Sequence, residues 1–293
     1  MYKKNYKKIS VGIPTFNSSI YLKDCLRSLE KLVYIDEVII SDDCSNDIEL
    51  DKINKIIKSY KEKLPIVFIK NSKNYGAFVN KLNLIKASKN EFIYILDSDN
   101  LAGKNLDKII KKYINSGSCE KFLIQPNIMY QFWKFPLISK YLSYFIKKYK
   151  VKFFKENTVL DYEYVKKSLL LNSGTYDLKL IAPNFNFQQI NTDFDDCLQT
   201  KWIFWVLNCG NFIVNKKLFI NIAEKGLKFD RSIRSVDAIV FAYLWIANGY
   251  KIKIIKNFYH HHRKREDSVS YIEKEDSVNA ITYFIKKFLV FEN

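Results

Sequence analysis

Length, composition and charge set the first limits on this chain. It has 293 residues, of which 48% are hydrophobic and 16% aromatic. This excludes an intrinsically disordered chain and allows one large domain with a sizeable core. The 48 basic and 31 acidic residues give a formal net charge of +17, which suits anionic partners or a membrane surface. No nucleic-acid recognition motif is present, so we expect no nucleic-acid partner.

Two further features of the sequence indicate where the protein works. Residues 1–8 form no apolar leader, and the sequence has no run of 18 apolar residues, which predicts neither a signal peptide nor a membrane-spanning helix. The cysteines are far apart and odd in number, as is typical of reduced thiols in the cytoplasm. They are Cys25, Cys44, Cys119, Cys197 and Cys209. We therefore expect a cytoplasmic protein and leave peripheral contact with a membrane surface open.

The first hundred residues alternate between apolar runs and amphipathic stretches. Strands are predicted at 8–13, 37–40, 65–69 and 92–96, with Pro14 breaking the first. The helices between them have apolar faces made of Leu22, Cys25, Leu26, Leu29 and Val33; of Ile53, Ile56, Ile57 and Tyr60; and of Phe78, Leu82 and Ile85. Strands that alternate with helices of this length predict an α/β fold, with a mostly parallel sheet flanked by helices.

Acidic and amide residues follow the predicted strands. Asp97-Ser98-Asp99 comes directly after the buried run that ends at Leu96. Ligands of open α/β sheets bind at the carboxyl ends of the strands, and paired carboxylates suit Mg²⁺ or Mn²⁺. Each polar cluster alone could equally be a solvated turn or a helix cap.

Four segments follow one another in a distinctive order and spacing. They are residues 11–17 (VGIPTFN), 37–47 (EVIISDDCSND), 74–80 (NYGAFVN) and 94–100 (YILDSDN). Together they resemble the family 2-like glycosyltransferases of the GT-A fold, a Rossmann-like architecture. The resemblance is good over residues 8–115 and looser over 203–270.

The resemblance implies a role for each matching residue in the first half. The set assigned to the nucleotide is Pro14, Thr15, Phe16, Asp42, Asp43, Asn80, Asp97, Ser98 and Arg263. Within it, Pro14, Thr15 and Phe16 would line the nucleotide base, and Asp43 would hydrogen-bond uracil. Asn80 would face the ribose or diphosphate, and Asp97 would reach the ribose or a metal-bound water. Gly76 would allow close backbone approach. Asp99, with Asp97, would bind Mn²⁺ or Mg²⁺, which agrees with the need to neutralise a diphosphate leaving group.

The second half would supply the donor-sugar contacts and a general base. By resemblance, Gly210 and Asn211 border the donor sugar, and Asp237 is the base that deprotonates the acceptor hydroxyl. The family normally has Glu before this Asp, whereas this chain has Val236. The start of a helix stabilises an ionised carboxylate. The alternative is that Ser235 or Asp237 is only a helix cap.

All histidines of the chain are consecutive, at His260–His262, after a strand predicted at 251–255. By resemblance this segment folds over the diphosphate. We expect His262 to be a metal ligand, and Arg263 to hold a phosphate because a guanidinium matches phosphate oxygens bidentately. The alternative is a surface loop without a role.

The sequence divides into three parts within one GT-A domain. These are a nucleotide-sugar half at 1–127, a variable insertion at 128–200 and a base-bearing half with a C-terminal helix at 201–293. Residues 131–150 are basic and aromatic, which suits either a membrane interface or a core-packing helix with snorkelling lysines. Residues 184–196 are predicted to be a polar loop, and residues 278–291 a helix.

These observations together predict a metal-dependent, inverting glycosyltransferase. It would transfer a sugar from a nucleotide-sugar, with a UDP-sugar favoured, to a glycan, lipid-linked or protein acceptor. Two alternatives stay open: a degenerate nucleotide-sugar-binding protein, suggested by Val236, and a sugar nucleotidyltransferase. The second would carry a Gly-rich basic loop after its first strand, which residues 12–17 lack.

Overall fold

A computed structural model describes residues 6–132, 150–152, 158–171, 207, 209–226 and 237–263. Its strands form one sheet in the order β3-β2-β1-β4-β9-β6-β10-β5, with β7 paired to β6 and β8 to β10. The strands are β1 (Ile9–Thr15), β2 (Ile35–Asp42), β3 (Ile66–Lys70), β4 (Phe92–Ile95), β5 (Leu101–Ala102), β6 (Phe122–Phe132), β7 (Lys150–Lys152), β8 (Val159–Leu160), β9 (Phe212–Asn215) and β10 (Lys251–Arg263). The helices are α1 (Ser19–Arg27), α2 (Asp47–Tyr60), α3 (Ala77–Ala87), α4 (Leu106–Ile109), α5 (Tyr162–Leu171), α6 (Lys216–Gly226) and α7 (Asp237–Ala247), and a π-helical turn (Ile110–Ile114) follows α4.

The predicted parallel sheet is confirmed in the first half, where β3, β2, β1 and β4 are all parallel. One detail of the prediction is wrong, because β1 continues through Pro14 to Thr15, which pairs with Asp42. The carbonyl of Gly12 accepts a hydrogen bond from the N–H of Leu96. Two residues later, the backbone of Pro14 faces the same neighbouring strand, β4, but it lies beyond the last residue pair of these two strands. The missing N–H of Pro14 therefore removes no hydrogen bond between the strands.

The second half extends the sheet with a reversed strand. β9 runs antiparallel to both β4 and β6, and β6 runs parallel to β10. The carboxyl ends of β1, β2, β4, β6 and β10 therefore point to one edge of the sheet. Ligand sites of open α/β sheets lie at this edge.

A hydrophobic core covers each face of the sheet. One face packs against α3, α6 and α7, and the other against α1, α2 and α4. Helix α7 lies deep in the first core, since every residue from Ala238 to Ile246 is buried. The prediction that Val33 belongs to the apolar face of the first helix is wrong, because α1 ends at Arg27 and Val33 is 65% exposed.

Several predictions concern residues outside the described part of the chain. The polar loop at 184–196 and the C-terminal helix at 278–291 lie wholly outside it, as does most of the aromatic stretch at 131–150. The division at 127 and 200 stays a prediction. None of the helices in the described ranges combines the length and the hydrophobicity of a membrane-spanning segment.

Candidate functional site

A buried lysine joins the two halves of the chain beside the end of β4. The Nζ of Lys81, on α3, lies 2.8 Å from Oδ1 of Asp97 and 2.6 Å from Oδ2 of Asp237. The Lys81 side chain is 4% exposed, that of Asp237 13% and that of Asp97 29%. Burial alone would lower the pKa of Lys81, but the Asp237 and Asp97 carboxylates outweigh burial and raise that pKa. We call Asp97, Lys81 and Asp237 the ion-pair cluster.

Lys81 is absent from the residues predicted from the sequence, although a signal for it exists. It lies three residues after Phe78 and directly before Leu82 on α3, and both of these side chains belong to the core beneath that helix. A lysine on the packed face of a helix is unusual, because a buried ammonium needs a counter-ion. Here two carboxylates supply it, one from each half of the chain.

Gly210 lets the backbone approach the Asp97 carboxylate closely. A Cβ atom at position 210 would clash with Oδ2 of Asp97, so any other residue there would require the Asp97 side chain to shift. The neighbouring Asn211 is fully buried, and its Oδ1 accepts a hydrogen bond from the backbone N–H of Asp97 at 3.2 Å. Both residues predicted to border the donor sugar therefore touch the predicted acidic motif.

Asn211 also fixes the state of a buried histidine. Since its Oδ1 accepts from Asp97, its Nδ2 donates to Nδ1 of His260 at 2.8 Å. Burial lowers the pKa of His260 well below its usual value, with a further contribution from the neighbouring histidines. Burial also lowers the pKa of His261, to about 4. The histidines lie within β10 and His260 is 5% exposed, so the surface-loop alternative is wrong.

The acidic pair after β2 builds a loop rather than an ion pair. Oδ1 of Asp43 accepts hydrogen bonds from Nδ2 of Asn71 at 2.9 Å and from the N–H of Tyr75 at 3.0 Å, while Oδ2 accepts from the N–H of Gly76 at 2.8 Å. Asp42 is fully buried and accepts from the N–H and the hydroxyl of Ser45. A carboxylate offers about four acceptor positions, so the described residues leave one position of Asp43 for a ligand.

Asn80 holds α3 against the end of β2. Its Oδ1 accepts from the Ser41 hydroxyl and from Asn71, and its Nδ2 donates to the carbonyl of Ser41 at 3.0 Å. The residue is 2% exposed. These hydrogen bonds are all internal to the protein, and the predicted contact with the ribose or diphosphate stays a prediction.

A chain of hydroxyl groups connects the ends of β1 and β4. Thr15 and Ser18 lie 2.7 Å apart, and Ser18 lies 2.8 Å from Ser98, measured between their side-chain oxygens. All three residues are buried, whereas Phe16 beside them is 44% exposed and Pro14 is half-buried. Among the predicted base-lining residues, Phe16 thus presents the largest exposed surface.

Arg263 ties the end of β10 to the loop after β4. Its Nε donates to the carbonyl of Asp99 at 2.9 Å, its Nη2 lies 3.2 Å from Oδ2 of Asp24, and its guanidinium lies 5.0 Å from the Tyr21 ring centroid. The residue is 5% exposed. Arg263 therefore has a positioning role in this structure, and its predicted contact with a phosphate stays a prediction.

The fit of a divalent cation can be judged from the donor set. No three His, Cys, Asp or Glu side chains converge on a cation position within the residues that the structure describes. Mg²⁺ at nucleotide sites usually takes one or two carboxylates and completes its shell with phosphates and water. Burial raises the pKa of the Cys25 thiol, and the charges of Asp99 and Asp97 raise it further, so both carboxylates act on one region. Such a pair of carboxylates fits a cation only together with a diphosphate. The ring of His262, the other predicted metal ligand, lies 5.4 Å from the ring of His260, measured between centroids.

Comparison with known proteins identifies the family. The model of the glycosyl transferase family 2 matches residues 10–164, which is more than half of the chain. The chain belongs to glycosyl transferase family 2. The matched range includes the loops after β1, β2 and β4 and the helix that carries Lys81.

The relatives of this family 2 chain include several proteins named as glycosyltransferases. An uncharacterized glycosyltransferase of Methanocaldococcus jannaschii is 31% identical over 185 residues, which cover 59% of this chain and 60% of that protein. The Staphylococcus aureus poly(ribitol-phosphate) beta-N-acetylglucosaminyltransferase TarP is 29% identical over 219 residues, covering 64% of each. The chain thus spans less than two thirds of the length of either relative.

Solved structures establish the fold of this family 2 chain. The S. aureus TarS structure in complex with UDP-GlcNAc matches with a TM-score of 0.56 at 20% identity, over 95% of this chain and 66% of the other. The TarS complex with UDP matches with a TM-score of 0.53 at 18% identity, over 96% and 69%. The predicted GT-A fold is therefore confirmed.

Proposed function

We propose that this chain is an inverting glycosyltransferase that transfers a sugar from a UDP-sugar to a hydroxyl group of a glycan or lipid-linked acceptor. The observation that carries the proposal is the ion-pair cluster. Lys81 lies within 2.8 Å of both Asp97, at the strand edge where nucleotides bind, and Asp237, at the start of α7. An acid suited to the donor and an acid suited to act as a base thus share one site.

In the proposed reaction, the oxygen of the acceptor hydroxyl attacks the anomeric carbon of the donor sugar. A bond forms between these two atoms while the bond from the anomeric carbon to the diphosphate oxygen breaks, and UDP leaves. Asp237 takes the proton of the hydroxyl group. Asp237 lies at the start of α7, and its Oδ2 is 2.6 Å from Nζ of Lys81. A single displacement with one base inverts the configuration of the sugar.

The choice of a UDP-sugar rests on the relatives and on the loop after β2. The S. aureus TarS structures include complexes with UDP and with UDP-GlcNAc. Asp43 lies beside the first predicted base-lining loop, since its N–H donates to the carbonyl of Thr15 at 2.9 Å. The remaining acceptor position of its carboxylate would take the N–H of uracil.

A divalent cation is part of the proposal. Asp99 would hold Mn²⁺ or Mg²⁺ together with the donor diphosphate, while Asp97 is already paired with Lys81. When bound, the cation would neutralise the charge that develops on the leaving group. We expect Asp99→Asn to remove the Mn²⁺-dependent part of UDP affinity, measured by calorimetry, without changing the melting temperature. Equal Mn²⁺ dependence in the variant and the wild type would contradict this assignment.

The acceptor is proposed from charge. Relatives named poly(ribitol-phosphate) glycosyltransferases occur in S. aureus and Bacillus spizizenii, and this chain carries a formal net charge of +17. An anionic glycan polymer or lipid-linked glycan would be attracted to such a protein. Peripheral contact with a membrane surface stays a prediction.

The test is a panel of nucleotide sugars. Binding is measured by thermal shift with and without Mn²⁺, and the released product is identified after incubation with each donor. We expect stabilisation by UDP and UDP-sugars and slow release of UDP, with water as the acceptor. Release of pyrophosphate would indicate a nucleotidyltransferase, and tight binding without any turnover would indicate a degenerate enzyme.

A further inference from the structure

Two buried amide side chains on β6 have carbonyl oxygens without a partner among the residues that the structure describes. Gln125 and Asn127 are each 1% exposed, and within these residues neither Oε1 of Gln125 nor Oδ1 of Asn127 accepts a hydrogen bond. Buried polar groups in native proteins are nearly always hydrogen-bonded, so each exception requires an explanation. One explanation is a ligand that supplies the missing donors.

The strand register shows where these amides lie relative to β4. Ile213 on β9 pairs with Tyr94 on β4 and with Ile124 on β6, so these three residues share one level of the sheet. Three residues further along are Asp97, which lies two residues beyond the end of β4, and Asn127 on β6; continuing the register of the two strands places them at about the same level. Two strand spacings of about 4.8 Å separate them, so their backbones lie on the order of 10 Å apart.

The alternation of side chains shows which face they occupy. Leu123 packs into the core beneath α3 and α7, whereas Ile124 packs into the core on the other face. Since side chains alternate along a strand, Gln125 and Asn127 lie on the same face as Leu123. This is the face covered by α3, which carries Lys81, and by α7, which begins at Asp237. The two amides and the ion-pair cluster therefore share one face and one edge of the sheet.

We propose that Gln125 and Asn127 form a subsite whose carbonyl oxygens accept hydrogen bonds from hydroxyl groups of the donor sugar. This inference rests on the proposed function. An unpartnered carbonyl oxygen needs a donor, which a sugar hydroxyl provides and a phosphate oxygen does not. The two residues are two positions apart, about 6.6 Å along the strand, which is the scale of one sugar ring. The family resemblance places Gly210 beside the donor sugar. Gly210 directly precedes β9, the strand that lies between β4 and β6, and so lies between Asp97 and the two amides.

The test separates sugar contacts from nucleotide contacts. The affinities for UDP and for UDP-GlcNAc, UDP-glucose and UDP-galactose are measured by calorimetry for the wild type, Gln125→Met and Asn127→Leu. We expect unchanged UDP affinity and about a 5-fold loss in affinity for the preferred UDP-sugar in each variant. The melting temperature without ligand should stay the same or rise, because an unpartnered buried oxygen has been removed.

Asn105→Leu is the matched control. Its Oδ1 is also buried without a partner in the described part of the chain, but Asn105 directly precedes α4, on the opposite face of the sheet. The control should change neither affinity. The subsite would be overturned if Gln125→Met and Asn127→Leu lost UDP and UDP-sugar affinity equally. It would also be overturned if these variants had a lower melting temperature and an unchanged ratio of UDP-sugar affinity to UDP affinity. A wild-type protein that binds UDP as tightly as every UDP-sugar would also overturn it, whereas a wild type that binds no UDP would contradict the proposed function itself.

Discussion

The ends of β2 and β4 have similar sequences but different chemistry. Both end in two carboxylates, Asp42 and Asp43 in one case and Asp97 and Asp99 in the other. After β2 the partners are neutral N–H and hydroxyl donors within the adjoining loops. After β4 the partner of Asp97 is a buried ammonium, which also binds an acid about 140 residues further along the chain.

The difference shows how one sequence pattern serves two purposes. Where neutral donors lie close to the carboxylate in sequence or space, their hydrogen bonds fix the conformation of a loop, and the carboxylate becomes a structural part of that loop. A charged partner shared with a second carboxylate links separate parts of the chain and keeps three charges in one place. Under the proposed function, the β4 end would therefore hold the reacting groups, and the β2 end would line the nucleotide site.

The largest effect is expected at the shared acid. Asp237→Asn should reduce sugar transfer by about 100- to 10,000-fold, because removal of a general base typically costs that much. UDP affinity and the melting temperature should stay near wild type, because Lys81 keeps its contact with Asp97. Glu224→Gln is the control, since Glu224 pairs with Lys86 at the surface of the same half. A variant with a lowered melting temperature and full turnover would show that Asp237 is only a helix cap.

Removal of the shared ammonium should affect stability as well as turnover. Lys81→Met leaves two carboxylates without their common partner, and loss of one member of a buried ion pair costs about 3–5 kcal/mol of unfolding free energy. Urea denaturation measures the change. Lys86→Met on the same helix is the matched control, because its pair with Glu224 is half-exposed and should contribute at most about 1 kcal/mol.

A second variant tests the physical cause of that loss. Adding Asp97→Asn and Asp237→Asn to Lys81→Met removes the uncompensated charges, so much of the stability should return while transfer stays absent. Equal losses for Lys81→Met and Lys86→Met would mean that the ion-pair cluster contributes no more than a surface pair. The carboxylates at the β4 end would then have only a structural role, like those at the β2 end.

Most of the fold follows from the sequence, but the centre of the site does not. Alternating apolar runs predict β1 to β4 and the helices between them, because burial on both faces leaves a clear pattern. Lys81 interrupts such a pattern, and the acids that stabilise it come from β4 and α7. Its role depends on a contact between distant segments, which local patterns do not encode. The continuation of β1 through Pro14 likewise depends on where β4 ends.

At the β2 end the expected effect is smaller and selective. Asp43→Ala should weaken UDP by about 10- to 100-fold, because a hydrogen bond to a charged group contributes about 1.5–3 kcal/mol. It should also lower stability, since the N–H groups of Tyr75 and Gly76 lose their acceptor. Competition between UDP and GDP for binding to the wild-type protein tests whether Asp43 recognises uracil. Equal competition would mean that Asp43 shapes the loop without reading the base.

The smallest effect is expected at Ser98, between the two acids after β4. Its hydroxyl lies 2.8 Å from that of Ser18, and both residues are buried. Ser98→Ala should therefore lower the free energy of unfolding by about 1 kcal/mol, the contribution of one neutral hydrogen bond, and should change UDP affinity less than about twofold. Ser18→Ala is the internal comparison and should cost about twice as much, because Ser18 also contacts Thr15 at 2.7 Å. A loss of UDP affinity of about tenfold in Ser98→Ala at unchanged stability would instead place this hydroxyl on the nucleotide, as the sequence predicts, and would move Ser98 from the connection between β1 and β4 into the donor site.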